Sequence, residues 1–173
     1  IADLELALLV DAVLGGTPGY RDLLGDGPTD LAGFGQWLAT GLLNPAHALF
    51  READYVLTED PRIADRSLYH SILDAISRGE RTPSRIAARL GRSEGALRHP
   101  LHLLEEAGFV DKTEDVLRQR HAMWTIADPI VRLAHLLIRP NVSLLEDRRA
   151  LQVWRAAQAT FSAQILGPHF EQL

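Results

Sequence analysis

The run from Thr82 to Val110 leaves this chain little conformational choice. Thr82 offers a side-chain oxygen to the orphan N–H groups of a helix start, and Pro83 takes the first helical position, where its missing N–H costs nothing. Ile86, Ala87 and Leu90 share one face, and Gly91 closes the helix with a residue that tolerates positive φ. Ser93 opens a second helix two residues later, with Leu97, Leu101, Leu104 and Ala107 as its apolar stripe and Gly108 as its stop. Two helices joined by so short a turn cross steeply, which is the helix-turn-helix unit. Leu68, Ile72, Leu73 and Ile76 supply a supporting helix, and Phe109–Lys112 and Met123–Ile126 read as two wing strands. The expected fold class is therefore mainly α: a winged helix-turn-helix with a small two-stranded β-wing over 63–128.

The flanks read as helices. Over 1–62 an all-helical, acidic subdomain is expected, which the resemblance described below makes lid-like. Leu4, Leu8, Leu9, Ala12 and Val13 form an amphipathic helix that ends at Gly15-Gly16, and a short helix runs through Leu23-Leu24. A third, capped by Thr29 or Asp30, carries Leu31, Phe34, Trp37, Leu38 and Leu42. Asn44-Pro45 breaks it, and Ala46–Leu57 forms one further helix or two short ones. Over 129–173, Asp128-Pro129 starts a helix carrying Ile130, Leu133, Leu136 and Leu137 that Arg139-Pro140-Asn141 is expected to end. A long helix over 147–166, with Leu151, Trp154, Ala157, Phe161 and Ile165 at helical spacing, is expected to stop at Gly167-Pro168. Ile1 enters an amphipathic pattern with neither a Met nor a cap, and Leu173 is an apolar residue inside a fresh helix. The chain is therefore expected to begin mid-protein and to be cut short at this end too.

Charge distribution says more than the total. The net charge is −5, but it is −7 over 1–64, zero over 65–128 and +2 over 129–173. Within 78–102, Arg78, Arg81, Arg85, Arg89, Arg92 and Arg98 face only Glu80 and Glu94. A local excess of this kind suits a phosphate backbone, although a solvated arginine-rich helix face would look the same. The absence of cysteine excludes disulfides, thiolate metal sites and thiol nucleophiles, and fits a reducing, cytoplasmic setting. No apolar run approaches the ~18–20 residues that span a bilayer, so no membrane partner is expected.

Catalytic patterns do not emerge. A P-loop needs a glycine-rich turn ending in Gly-Lys-Ser/Thr, and the single lysine, Lys112, stands in the wing. His99 and His102 are one helical turn apart, but no carboxylate pattern accompanies them, and no metal site is assigned. Glu105-Glu106 reads as the solvated end of a helix. No enzyme active site is expected within these residues.

A resemblance joins the pieces. Leu14-Gly15-Gly16-Thr17-Pro18-Gly19-Tyr20 resembles the Gly-Gly-x-Pro-x-Tyr turn of the archaeal-type STAND class of P-loop ATPases. Tyr69–Gly79 resembles that family's first winged-helix helix, and Trp124-Thr-Ile-Ala-Asp128-Pro129 its Tyr-x-Ile-x-Asp-Pro element. Pro140-Asn141 and Gly167-Pro168-His-Phe170-Glu171 are similar to later landmarks. The resemblance implies an upstream ATPase core that holds ATP and Mg, then this helical lid and winged helix, then a restriction-endonuclease-like domain. It also places Gly16 and Pro18 near the nucleotide. A plain helix-ending Gly-Gly followed by a proline-led helix explains the same two residues. Glu171 is given no catalytic role.

What remains is binding. With the Ser93 helix in a major groove, Ser93, Glu94, Arg98, His99 and His102 lie opposite the leucine stripe and face base edges. Arg85, Arg89 and Arg92 approach phosphates of double-stranded DNA, and Arg118 and Arg120 in the wing reach a flanking groove or the backbone. Pro100 disturbs this picture, because it removes the bond to the Ala96 carbonyl at roughly 3 kcal/mol unless the helix bends. The expected role is a non-catalytic, DNA-binding or regulatory part of a larger STAND-like ATPase. The alternative is an interaction module that packs the ATPase core against the downstream domain, or forms a homo-oligomer, without touching DNA.

Overall fold

A computed structural model describes residues 2–114 and 122–171. Eleven α-helices among those residues are α1 (Ala2–Leu14), α2 (Pro18–Leu24), α3 (Phe34–Thr40), α4 (Glu52–Glu59), α5 (Arg66–Ser77), α6 (Pro83–Leu90), α7 (Glu94–Glu106), α8 (Pro129–Leu133), α9 (Val142–Glu146), α10 (Ala150–Phe161) and α11 (Gly167–Phe170). Strands β1 (Val110–Glu114) and β2 (Ala122–Ile126) pair antiparallel, with Val110 opposite Ile126 and Lys112 opposite Trp124. The fold is a winged helix-turn-helix set among further helices.

Local chemistry explains the centre. Thr82 accepts the Arg85 N–H at 3.4 Å, and Pro83 leads α6. Gly91 is left-handed (φ 63°), and the Arg92 N–H reaches the Ala87 carbonyl at 3.0 Å, a Schellman closure. Gly79 and Gly108 close α5 and α7 in the same way, with φ of 93° and 76°. The wing is tied back by the Trp124 N–H, which donates to the Arg81 carbonyl at 2.7 Å, and by the Ala127 N–H, which donates to Phe109. Arg132, although buried, donates to the Ile126 carbonyl. Leu97, Leu101 and Leu104 of α7 meet Ile72, Leu73 and Ile76 of α5 in one buried cluster, which also takes in Ala12 and Val13 of α1, Leu38 of α3, Ile130 of α8 and Phe161 of α10.

Several expectations are corrected. Pro100 breaks nothing: α7 runs unbroken from Glu94 to Glu106, with the proline buried on its inner side. The carbonyl that loses its donor belongs to Ala96, an exposed residue. Helix α3 begins at Phe34; Asp30 instead caps the preceding turn, its Oδ1 accepting the Gly33 N–H at 2.7 Å. Pro140 does not end the helix begun at Pro129. A wide π-helical turn, Ala134–Ile138, lets the Arg139 N–H reach back five residues to Ala134, and helical turns continue to Glu146. Asn141 Nδ2 donates to the Leu137 carbonyl at 2.9 Å. The same device precedes Pro168: Ser162–Leu166 forms a second π-helical turn, the Gly167 N–H donates to Ser162, and the helix goes on through Phe170. The helix expected from 147 starts at Ala150, because Arg148 adopts a left-handed conformation (φ 61°) and closes α9 in a glycine's place. Leu4 and Leu151, assigned inward, are 77% and 37% exposed.

Candidate nucleic-acid interface

The outer side of α7 is set by its inner side. With Leu97, Pro100, Leu101, Leu103 and Leu104 buried, the helix leaves Glu94, Gly95, Ala96, Arg98, His99 and His102 exposed. Ser93 is extended and exposed, and its hydroxyl makes no capping bond, so it remains available to an outside partner. Ser93, Arg98, His99 and His102 thus share the outward surface that their spacing suggested.

Electrostatics divide that surface. Arg85 Nε stands 2.8 Å from Glu80, and Arg89 lies 3.6 Å from Asp74, which also takes Arg78 at 2.9 Å. Arg81 approaches Glu171 at 3.8 Å. Much of the apparent excess is therefore balanced at home, where exposed pairs are worth little to stability but screen the charge. Arg92 and Arg98 make no ion pair among the described residues. At the far end of α7, His102 sits 3.8 Å from Glu105 and 3.5 Å from Glu106, which makes that end acidic in character. The cationic surface concentrates at the α6–α7 turn. Arg118 and Arg120 fall outside the described residues.

Two of the stretches that carry the ATPase resemblance, 14–20 and 124–129, meet one another. Gly15 is left-handed (φ 58°) and its N–H closes α1 on the Asp11 carbonyl at 2.7 Å. A Cβ there would stand 3.0 Å from Pro129. The Tyr20 hydroxyl then donates to Asp128 Oδ2 at 2.8 Å, while Asp128 Oδ1 caps α8 through the Ile130 and Val131 N–H groups at 2.8 and 3.1 Å. Burial, then the Asp128 carboxylate, pushes the Tyr20 hydroxyl well above its ordinary pKa. Gly16 and Pro18 are both exposed, and nothing lies within 4 Å of where a Gly16 Cβ would stand. Gly16 borders a cavity of about 380 Å3 that also meets Thr17, Asp128, Arg132 and His169. Among the described residues no group of three or more His, Asp or Glu is arranged to hold a metal ion, and no helix is long and apolar enough to cross a membrane.

A histidine pair also escaped the sequence reading. His70 of α5 and His135 of the first π-helical turn pack with ring centroids 5.5 Å apart. Burial, then His70 and the Arg139 and Arg78 guanidiniums, pushes His135 down to about 3. A lone histidine among the leucines of a buried helix was its one signal.

The family described as "Helix-turn-helix domain" matches residues 71–113, which run from α5 through α7 into β1. Among solved structures, Lactococcus lactis ZitR in an apo form is 19% identical, with 67% of this chain and 85% of that chain covered at a TM-score of 0.37. The MarR protein from Peptoclostridium difficile is 17% identical, covering 72% of this chain and 88% of that one at a TM-score of 0.39. No curated protein matches the chain. The helix-turn-helix of residues 71–113 is thus a matched domain embedded in a longer helical chain.

Proposed function

We propose that the chain is a non-catalytic, DNA-binding regulatory segment that presents the α6–α7 turn and the outer side of α7 to double-stranded DNA. The observation that carries this reading is the pair Arg92 and Arg98, exposed beside the uncapped Ser93 hydroxyl and without a carboxylate partner among the described residues. In this arrangement Arg98 and His99 face base edges, and Arg92 meets a phosphate. Arg85 and Arg89 join only if Glu80 and Asp74 release them. The larger protein is a STAND-like ATPase whose core binds ATP and Mg. The direct contact between Tyr20 and Asp128, each from a motif of that resemblance, supports this context.

Anisotropy of a labelled duplex, titrated across salt concentrations, tests the DNA reading. Counterion release at the one phosphate met by Arg92 gives a log–log slope of about −1, and about −3 if Arg85 and Arg89 also engage. Arg92→Glu with Arg98→Glu abolishes binding if the reading holds. Undetectable duplex binding at low salt by the folded chain overturns it. The second reading, an interface for a neighbouring domain or a second copy, is favoured by an apolar groove of about 480 Å3 along α1 that includes the exposed Leu4. A dimer in light scattering that Leu4→Glu dissociates would support it.

A further inference from the structure

We infer that the groove between α5, the end of α6 and the first π-helical turn is a binding site for a small anion bearing a phosphate or carboxylate group. Its volume is about 640 Å3, against ~30 Å3 for a single water and ~300–1,000 Å3 for typical ligand sites. His135 forms part of its wall, is 1% exposed, and its Nε2 has no hydrogen-bond partner. The neighbouring His70 has a buried, unpartnered Nδ1 while its Nε2 stands 3.3 Å from Asp54. A buried polar nitrogen without a partner is costly unless something enters to meet it.

The charge at the mouth favours an anion by one positive charge, three arginines against two aspartates. Arg89, Arg92 and Arg139 border the groove, opposed by Asp65 and Asp74. Both carboxylates are engaged: Asp65 caps α5 through the Leu68 N–H at 3.1 Å, and Asp74 is divided between Arg78 and Arg89. Arg139 is held by Asp54. Arg92 therefore stands uncommitted at the rim, while the unpartnered His135 Nε2 lies sealed behind the groove wall and meets an anion only when that wall shifts. A neutral imidazole can donate one hydrogen bond to an anion oxygen, and a guanidinium can hold two oxygens at once. The short aliphatic surface of Leu68 and Leu90 beside them suits the carbon part of an organic anion.

This site does not depend on the DNA reading, although Arg92 serves both. The test is nitrogen-edited NMR of the histidine side chains in the full chain, titrated with inorganic phosphate and separately with citrate at constant ionic strength. A saturable shift of the His135 resonances is expected, with a dissociation constant on the order of 1 mM or below. Arg92→Gln, a change at an exposed turn that keeps the fold, weakens it at least ~10-fold, while Arg98→Gln leaves it unchanged. Three results overturn the site: His135 resonances unmoved by either anion, unaltered affinity in Arg92→Gln, or movement with duplex DNA alone. Loss of duplex binding in Arg98→Glu with anion binding intact separates the two readings.

Discussion

Replacing Tyr20 by Phe removes one oxygen atom and tests whether the α1–α2 turn is bound to the winged helix. The hydroxyl donates to Asp128 at 2.8 Å across 108 residues of sequence, in a half-buried setting. Hydrogen bonds to charged groups contribute about 1.5–3 kcal/mol when buried, and partial solvent access places this one near the lower end, about 1–1.5 kcal/mol. For a chain of this size that corresponds to a fall in Tm of about 2–6 °C. Asp128 Oδ1 keeps its capping bonds in the variant, so helix content stays unchanged. A double-mutant cycle with Asp128→Asn, followed by urea denaturation, isolates the pair, and a coupling of at least about 1 kcal/mol is expected. The pH dependence carries a sign of its own. The folded-state pKa of Tyr20 is raised above its unfolded value, so its stabilising contribution is complete below about pH 10 and is lost as pH climbs beyond it. Tyr20→Phe thus narrows its deficit against the parent in alkali. A Tm equal to the parent's, with coupling below about 0.3 kcal/mol, refutes the joint.

Three further substitutions probe the backbone and core. Pro100→Ala restores the missing N–H at a gain of up to about 3 kcal/mol and loses about 1–2 kcal/mol of buried ring, so a net stabilisation of about 1–2 kcal/mol is expected in chemical denaturation. Arg148→Gly relieves the left-handed residue at the end of α9 and raises stability by about 0.5–1 kcal/mol; a loss would show that the arginine side chain matters more than its backbone. Gly35→Ala places a Cβ 2.3 Å from Trp154 Nε1, and any retreat of the half-buried indole disturbs its packing on Phe34 and Phe161, with centroids 5.5 and 5.1 Å away. A loss of about 1–3 kcal/mol with altered tryptophan fluorescence is expected.

The winged helix was legible because its signals are local. Thr82, Pro83, Gly91 and Gly108 each dictate the geometry of residues within a few positions, and the leucine spacing of α7 does the rest. Pro140 and Pro168 misled because a missing N–H is visible in sequence, whereas a five-residue reach that accommodates it is not. The arginine face was overcounted for a related reason. Asp74 lies fifteen residues before Arg89, and only the crossing of α5 with α6 brings them to 3.6 Å. His70 and His135 are likewise strangers in sequence, and no short-range rule connects them. Leu4 and Leu151 kept helical spacing yet stayed in solvent, since periodicity assigns a face and says nothing about whether anything covers it.

Each π-helical turn encloses one residue more than an ordinary α-turn requires. Shortening the chain by one within 134–138 would let the ladder close regularly while the flanking coils kept their angular phase. It would also rotate or erase the buried imidazole, so a chain lacking that extra residue would retain the scaffold and lose His135 from the groove wall.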